Sequence, residues 1–462
     1  MLIEFRVGNF KCFRDEAVLS LIPAGADNAL RGNIWRGRRQ HALKSAALFG
    51  PNASGKTLFL DALYALRQLV ITSATAMTEG DPIPGAVPFR LSAAARREPS
   101  VFEVQLELDG HGYRYRVEAT RERIWRERLE HQAAREKARW VVLIDRDAAG
   151  PGEPRITLHE RLGSRARRET IVAETRANAL MLSRAAERNN EAVKPLFQWF
   201  RSMRHSAGAA ELGMGFHRVH AMAEKAAKDP VLLAKLGELV RDADTGIAAL
   251  RPEQTAYDGI TLTLDIGDPE VDANELASSL RQAIANLDRG GFRFRTEHRG
   301  ADGDAVSFDF TQESLGTLRY LVLAGGLLEF CDTPGLMVVD ELETSLHPQL
   351  AQRIVQLFHS PEFNRAGAQL LFSTHDVTLM DPRLFRRDQV FITQKGAEGA
   401  SELYSLWDFD DTPRGNAAWA KNYLAGRFGG VPVLGPQLAD VPQESEPTRP
   451  APASASAAAG EE

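Results

Sequence analysis

Cysteine is scarce in this 462-residue chain: only Cys12 and Cys331 are present. Two cysteines supply neither a disulfide framework nor a cysteine-built metal site, which points to a reducing compartment, the cytoplasm. Long apolar runs are missing too. The best candidate, LVLAGGLLEF, is short and preceded by Arg319, so no membrane span is expected. The opening MLIEFRVGNF carries Glu4 and Arg6 inside its apolar run, unlike a signal peptide. There is no excess of positive charge. The formal net charge of −6 argues against a generally basic nucleic-acid coat protein. Sustained heptads are absent, which excludes a long coiled-coil arm, and no repeat of 20–50 residues is visible. A hydrophobic content of 44% is nevertheless ample for a large core, and the length suggests two or three domains.

Periodicity then sets the organisation. Leu2, Ile3, Phe5 and Val7 alternate as in a strand, and a second strand is expected near Ala17–Ile22. Ala46–Phe49 reads as a buried strand ending in Gly50. Leu58, Leu60, Leu63, Leu66 and Leu69 follow at helical spacing. Residues 100–145 suggest antiparallel strands (VFEVQLEL, GYRYRVEAT, ARWVVLID) with a turn at Asp109-Gly110. Residues 175–245 turn helical. Strands around a helix, ELASSLRQAIANL, are expected over 259–310. Helix 314–330, strand Leu336–Val339, helix 348–359 and strands 368–373 and 389–394 then complete an α/β pattern with a parallel core. The tail from about 438 is rich in Pro, Ala, Ser and Glu and is read as disordered.

Four motifs carry chemistry. GPNASGKT, Gly50 to Thr57, fits the phosphate-binding pattern G-x-x-x-x-G-K-[ST]. Backbone N–H groups around Asn52, Ala53, Ser54 and Gly55 would face phosphate oxygens at a helix N-terminus. Lys56 would reach the β and γ phosphates of ATP, and the Thr57 hydroxyl would ligate Mg²⁺. In GLMVVDELETSLHP, an apolar strand delivers Asp340 and Glu341 at its C-terminal end, where ligands sit in open α/β sheets. Asp340 is a candidate Mg²⁺ ligand. Glu341 is placed to polarise the attacking water. Alone, the pair would read as a surface cap. In AQLLFSTHDVTLM, another strand ends before His375, a candidate donor to a γ-phosphate oxygen, although an isolated histidine is more often structural. In QESLGTLRYL, Ser314 and Gly316 open a helix, as an anion site, as a plain N-cap, or as both.

In this order the motifs resemble the ATP-binding-cassette type of ATPase head found in SMC, RecF and OLD-family proteins. GPNASGKT looks like Walker A, MVVDELETSLHP like Walker B with its D-loop (Thr344 to His347), STHD like the switch-histidine motif, and ESLGT like the cassette signature. IEFRVGNFKCF resembles the first strands of such heads, and by that similarity Lys11 lies near the nucleotide. In overall look the chain is most similar to bacterial AAA family ATPases of abortive-infection and anti-phage loci, the RloA-like and OLD-like proteins without a coiled coil. VPFRL (87–91), TRANALMLSRAAERN (175–189) and NYLAGRFGGVP (422–432) add to the likeness. Two departures stand out. The signature reads ESLGT rather than LSGGQ, and no Q-loop glutamine can be placed, since Gln68 falls in the first helix. No Toprim-like acidic cluster follows.

The resemblance implies an α/β P-loop NTPase of cassette-head type, with an antiparallel β subdomain and a compact helical insertion. The expected boundaries are 1–174 for the N-terminal ATPase lobe, 175–258 for the helical insertion, 259–437 for the C-terminal lobe and 438–462 for the tail. It also implies a Mg²⁺-dependent ATPase that works as a homodimer, with ATP sandwiched between heads and Ser314 and Gly316 acting on the partner's nucleotide. Such a head would serve as a regulator or sensor with a separate effector protein. A RecF-like DNA-clamp ATPase is the alternative, and a transporter subunit or a non-hydrolysing scaffold are further readings. The Arg-rich stretch 111–170 reads as a solvated face laced with Glu, with a nucleic-acid contact as its alternative.

Overall fold

The structure is a computed structural model. It describes residues 1–25, 30–135, 138–150, 153–207, 212–243, 246–254, 291–328, 334–409 and 419–432, without the side chains of 207 and 212–218. The expected helix ELASSLRQAIANL, Cys331 and the tail from 438 lie outside the described residues.

Alternating apolar residues build the two main sheets. The first is antiparallel and holds β1 (Leu2–Gly8), β2 (Ala17–Ser20), β6 (Ser100–Leu108), β7 (His111–Ala119), β8 (Ile124–Gln132), β9 (Trp140–Asp147) and β10 (Arg155–Leu158). Its order is β10-β9-β8-β7-β6-β1-β2. The second holds β5 (Ser45–Phe49), β11 (Arg204–Ala207), β15 (Leu336–Asp340), β16 (Gln369–Ser373), β17 (Val390–Lys395) and β18 (Ser401–Ser405), in the order β11-β15-β16-β5-β17-β18. All of its pairings are parallel except the antiparallel edge pair β17–β18. A three-stranded sheet, β12 (Ile247–Gln254), β13 (Phe292–Arg299) and β14 (Ala305–Asp309), and a hairpin of β3 (Ile34–Arg36) and β4 (His41–Leu43) complete the strands among the described residues.

Helix α1 (Lys56–Thr72) lies between the two main sheets. Its Phe59, Leu63 and Leu66 share one core with Phe5 and Val7 of the antiparallel sheet and with Leu336, Val338 and Leu371 of the parallel one. The intervening residues Met337, Val339, Leu370 and Phe372 point to the opposite face, the period-two signature of a strand buried on both sides. There they meet α7 (Leu315–Leu328) and α8 (Pro348–His359) through Leu321, Leu323, Ile354 and Phe358.

Five further helices lie between α1 and α7: α2 (Arg165–Glu174), α3 (Met181–Glu187), α4 (Lys194–Ser202), α5 (Leu212–Lys228) and α6 (Pro230–Asp242). The stretch 175–245 is thus mostly helical, as its periodicity predicts. Two strands within 175–258 were not expected: β11 extends the parallel sheet beside β15, and β12 pairs with β13. α9 (Trp419–Leu424) closes the unit Met1–Val431. Of the second unit, Pro432–Glu462, only Pro432 is described.

Candidate active site

The P-loop connects β5 to α1. Gly50 and Gly55 have φ of +148° and +113°, conformations that exclude a side chain. The packing excludes one as well. A β-carbon on Gly55 would lie 2.9 Å from Cys12 Sγ and from Ser401 Oγ, and one on Gly50 would lie 2.5 Å from the Thr393 carbonyl oxygen. The buried hydroxyls of Ser54 and Thr393 bond each other at 2.5 Å, and Thr393 Oγ1 also donates to the Phe49 carbonyl at 3.2 Å. Asn52 and Ala53 are exposed at the loop tip, and Ala53 sits at φ +60°. Helix α1 starts without a side-chain cap and with no acidic residue in its first turn. Its leading N–H groups and positive dipole end therefore remain available to an anion.

Lys56 is buried at 5% exposure. Its ammonium donates to the carbonyls of Gly50 (2.9 Å) and Pro51 (3.1 Å). Burial lowers its pKa, and Asp340, Glu343 and Glu341, in that order, oppose the shift. A lysine held inside the loop and faced by three carboxylates is poised to exchange carbonyl partners for phosphate oxygens.

Sheet order brings the second motif to the first. β16 separates β5 from β15, and all three strands end on the same side. Thr57 Oγ1 lies 3.1 and 3.0 Å from the two oxygens of Asp340, a residue 283 positions away. A hydroxyl beside a carboxylate is the hard-oxygen donor pair that Mg²⁺ takes, so these two residues fit the ion. Ser373, at the end of β16, donates to Asp340 Oδ1 at 2.5 Å and accepts from the Glu341 N–H at 2.8 Å. Sequence reasoning left Ser373 out of the site. Its position at the strand end before His375 was the available signal.

Glu341 is held on three sides. Its N–H is bonded to Ser373, its carbonyl accepts from Arg319 Nη2 at 2.7 Å, and its Oε2 accepts from Thr344 Oγ1 at 3.0 Å. The backbone is left-handed at φ +50°, a conformation that a side-chain-bearing residue keeps only where its surroundings impose it. Arg319, also missed from sequence, comes from the second turn of α7. His375 is exposed, and its backbone N–H donates to Glu343 Oε1 at 2.6 Å. Desolvation and then the charge of Lys56 lower its pKa, which places the ring in the field of the P-loop lysine.

Ser314 and Gly316 stand at the start of α7. Ser314 Oγ accepts from the Thr317 N–H at 3.2 Å, so the capping role is present. Ser314 and Leu315 are exposed. A β-carbon on Gly316 would lie 2.7 Å from the Ser345 carbonyl oxygen, so the start of α7 backs directly onto the turn after β15 of its own chain. Lys11, at φ +48°, pairs with Asp61 of α1 at 2.9 Å, one turn beyond Thr57. Gln68 accepts from Arg67 in mid-helix, and no γ-phosphate-sensing glutamine emerges among the described residues.

The Arg-rich stretch resolves into a lattice of ion pairs on the antiparallel sheet. Arg116 meets Glu103 and Glu118, Arg128 meets Glu130 and Asp145, and Arg126 meets Glu118 and Asp147. These three arginines lie on a Glu-laced face, whereas Arg121, Arg135, Arg139 and Arg167 are exposed without a carboxylate among these pairs. Among the described residues, no helix is long and apolar enough to cross a membrane, and no cluster of three or more His, Cys, Asp or Glu residues is arranged to hold a metal.

The cell division ATP-binding protein FtsE of Escherichia coli K12 is 26% identical over 158 residues, 34% of this chain and 60% of FtsE. A Methanothermobacter marburgensis protein described as "Putative ABC transporter ATP-binding protein" is 25% identical over 162 residues, 35% of this chain and 49% of that one. The chain thus spans about half to three-fifths of the length of these relatives. Among solved structures, the recombination mediator RecF with ATP aligns over 87% of this chain and 97% of its own, at 12% identity and a TM-score of 0.31. The family model described as "AAA domain, putative AbiEii toxin, Type IV TA system" matches residues 45–381. The chain belongs to this AbiEii-type family of AAA ATPase domains, on a P-loop NTPase fold.

Proposed function

We propose that the protein binds and hydrolyses ATP with Mg²⁺ as a dimeric head. In this reading it acts as a regulator with a separate effector in bacterial anti-phage, abortive-infection defence. The observation that carries the catalytic part is the meeting of Thr57 with Asp340, with Lys56 and Glu341 on either side. The relatives' names and the AbiEii description of the family support ATP use and a toxin–antitoxin-like partnership.

Lys56 releases Gly50 and Pro51 to bind β and γ oxygens, while the uncapped start of α1 receives the phosphates. Thr57 and Asp340 would hold Mg²⁺, which when bound neutralises charge between the β and γ phosphates. Glu341 accepts the proton of the attacking water, and His375 donates to a γ oxygen. Exposed Ser314 and half-buried Gly316 meet the nucleotide of a second head, so two ATP molecules are enclosed in a two-fold dimer. The arginines paired on the antiparallel sheet, Arg116, Arg126 and Arg128, are not free to serve the DNA-clamp alternative.

The test combines three variants. Lys56→Ala is expected to lose ATP binding. Glu341→Gln is expected to bind ATP and stall. Ser314→Arg is expected to bind ATP without turnover and to regain part of it when mixed with Lys56→Ala, because the mixed dimer restores one composite site. Equal turnover by wild type and Glu341→Gln, or wild-type turnover by a strictly monomeric Ser314→Arg chain, would sink the reading.

A further inference from the structure

The turn after β15 carries a third carboxylate, Glu343, that the reaction above leaves unused. It is tightly built. Thr344 N–H closes on the Glu341 carbonyl at 3.0 Å and Leu346 N–H on the Glu343 carbonyl at 2.8 Å. Glu341 and Ser345 are both left-handed, at φ +50° and +62°. Such a turn has few ways to deform, so its side chains are delivered at fixed places.

Glu343 uses one carboxylate oxygen on the His375 N–H, 2.6 Å away, and its other oxygen, Oε2, is buried without a hydrogen-bond partner. The end of β16 also meets this turn through Ser373, whose carbonyl accepts from the Leu342 N–H at 3.0 Å, while the amides flanking His375 bond elsewhere. Thr374 N–H donates to the Leu48 carbonyl at 3.0 Å, and Asp376 N–H to Thr374 Oγ1 at 3.0 Å. The His375 amide is thus the only one of these three answered from the turn that carries Glu341. His375 is exposed as a residue, and this backbone bond fixes the point from which its ring projects. Glu343 is also the carboxylate that opposes the depressed pKa of His375 most strongly, ahead of Glu341 and Asp340.

We infer that Glu343 is a positioning residue for ATP hydrolysis: through the His375 amide it sets the histidine in register with Glu341, so that one turn places both the base and the γ-phosphate donor. This rests on the ATPase reading above. The partner-facing signature enters the same unit, since Gly316 abuts Ser345 in this turn.

Steady-state turnover and nucleotide affinity of the full chain test it. Glu343→Ala frees the amide and is expected to lower kcat by about 10- to 100-fold, the scale of a misplaced reacting group, with ATP affinity nearly unchanged. Glu343→Gln keeps an acceptor of the same reach and is expected to restore most of kcat. Glu343→Asp keeps the charge but withdraws it by one methylene, and is expected to resemble Glu343→Ala. The double variant Glu343→Ala/His375→Ala is expected to turn over no more slowly than His375→Ala, because both act through one ring. Wild-type kcat in Glu343→Asp, additive losses in the double variant, or a Glu343→Gln as impaired as Glu341→Gln would overturn the inference. If Glu343→Ala fails to fold, the Asp and Gln pair decides alone. Absence of turnover in the wild type overturns both readings. Turnover lost in Glu341→Gln but kept in Glu343→Ala overturns this one alone.

Discussion

Removing the guanidinium of Arg319 should damage catalysis more than nucleotide binding. Arg319 is 7% exposed and donates to the carbonyls of Glu341 at 2.7 Å and Asp340 at 3.5 Å. Arg319→Met keeps an apolar stem of similar bulk and deletes the donor. Loss of a hydrogen bond with a charged partner costs roughly 1.5–3 kcal/mol. The left-handed backbone at Glu341 is itself uphill by about 1–2 kcal/mol, so the lost restraint is of the size needed to let the residue relax. Ser373 and Thr344 would still hold its amide and its carboxylate. A carboxylate displaced by on the order of 1 Å loses up to about 100-fold in rate. The expected result is a kcat lowered by about 10- to 100-fold, an ATP Kd within about threefold of wild type, and a lowered thermal midpoint. A coupled ATPase assay, a fluorescent-nucleotide titration and a melt read the three quantities. A folded Arg319→Met protein with wild-type kcat would refute the reasoning.

Acid stability should depend on His359. Its ring is buried against Ser45 Oγ at 2.7 Å, and burial, with Lys44 adding to it, pushes its pKa down to about 3 from 6.5. Between those values the unfolded chain binds a proton that the folded chain refuses. The stabilisation is therefore fully present above pH 6.5 and fades as pH falls toward 3, by roughly 1 kcal/mol per pH unit. Melts across this range should show a shallower decline in His359→Gln, and an unchanged slope would contradict the assignment. DNA binding should be weak and salt-sensitive, with Kd no tighter than about 1 μM at physiological salt, because the sheet arginines are already paired. Tight duplex binding at physiological salt in an anisotropy titration, weakening steeply as salt rises, would restore the nucleic-acid reading of residues 111–170.

Much of the site was legible in the sequence because its motifs are local. The P-loop needs Gly50 and Gly55 where the backbone goes left-handed, and Lys56 and Thr57 directly after them; all four are contiguous with the strand and helix that use them. The strand ends at Asp340 and Ser373 were readable because both strands are short, apolar and buried on both faces. Period-two alternation likewise announced β6, β7 and β9.

What the sequence concealed depends on partners far along the chain. β8 was not foreseen because its inward positions include Glu127, which breaks the apolar alternation. Only folding shows that Glu127 is satisfied by Tyr115 and by the amides of Met181 and Leu182 at the start of α3. β11 reads as RHSA, with no strand pattern of its own, and becomes a strand by pairing with β15. Arg116, Arg126 and Arg128 could have faced phosphate or carboxylate, and sheet register set them beside Glu103, Glu118, Glu130, Asp145 and Asp147. Glu343, Arg319 and Ser373 carry no motif that names their roles. Each acts through a hydrogen bond to a residue more than 20 positions away, and such distances are set by the packing of α7 and β16 around the end of β15, not by spacing along the chain.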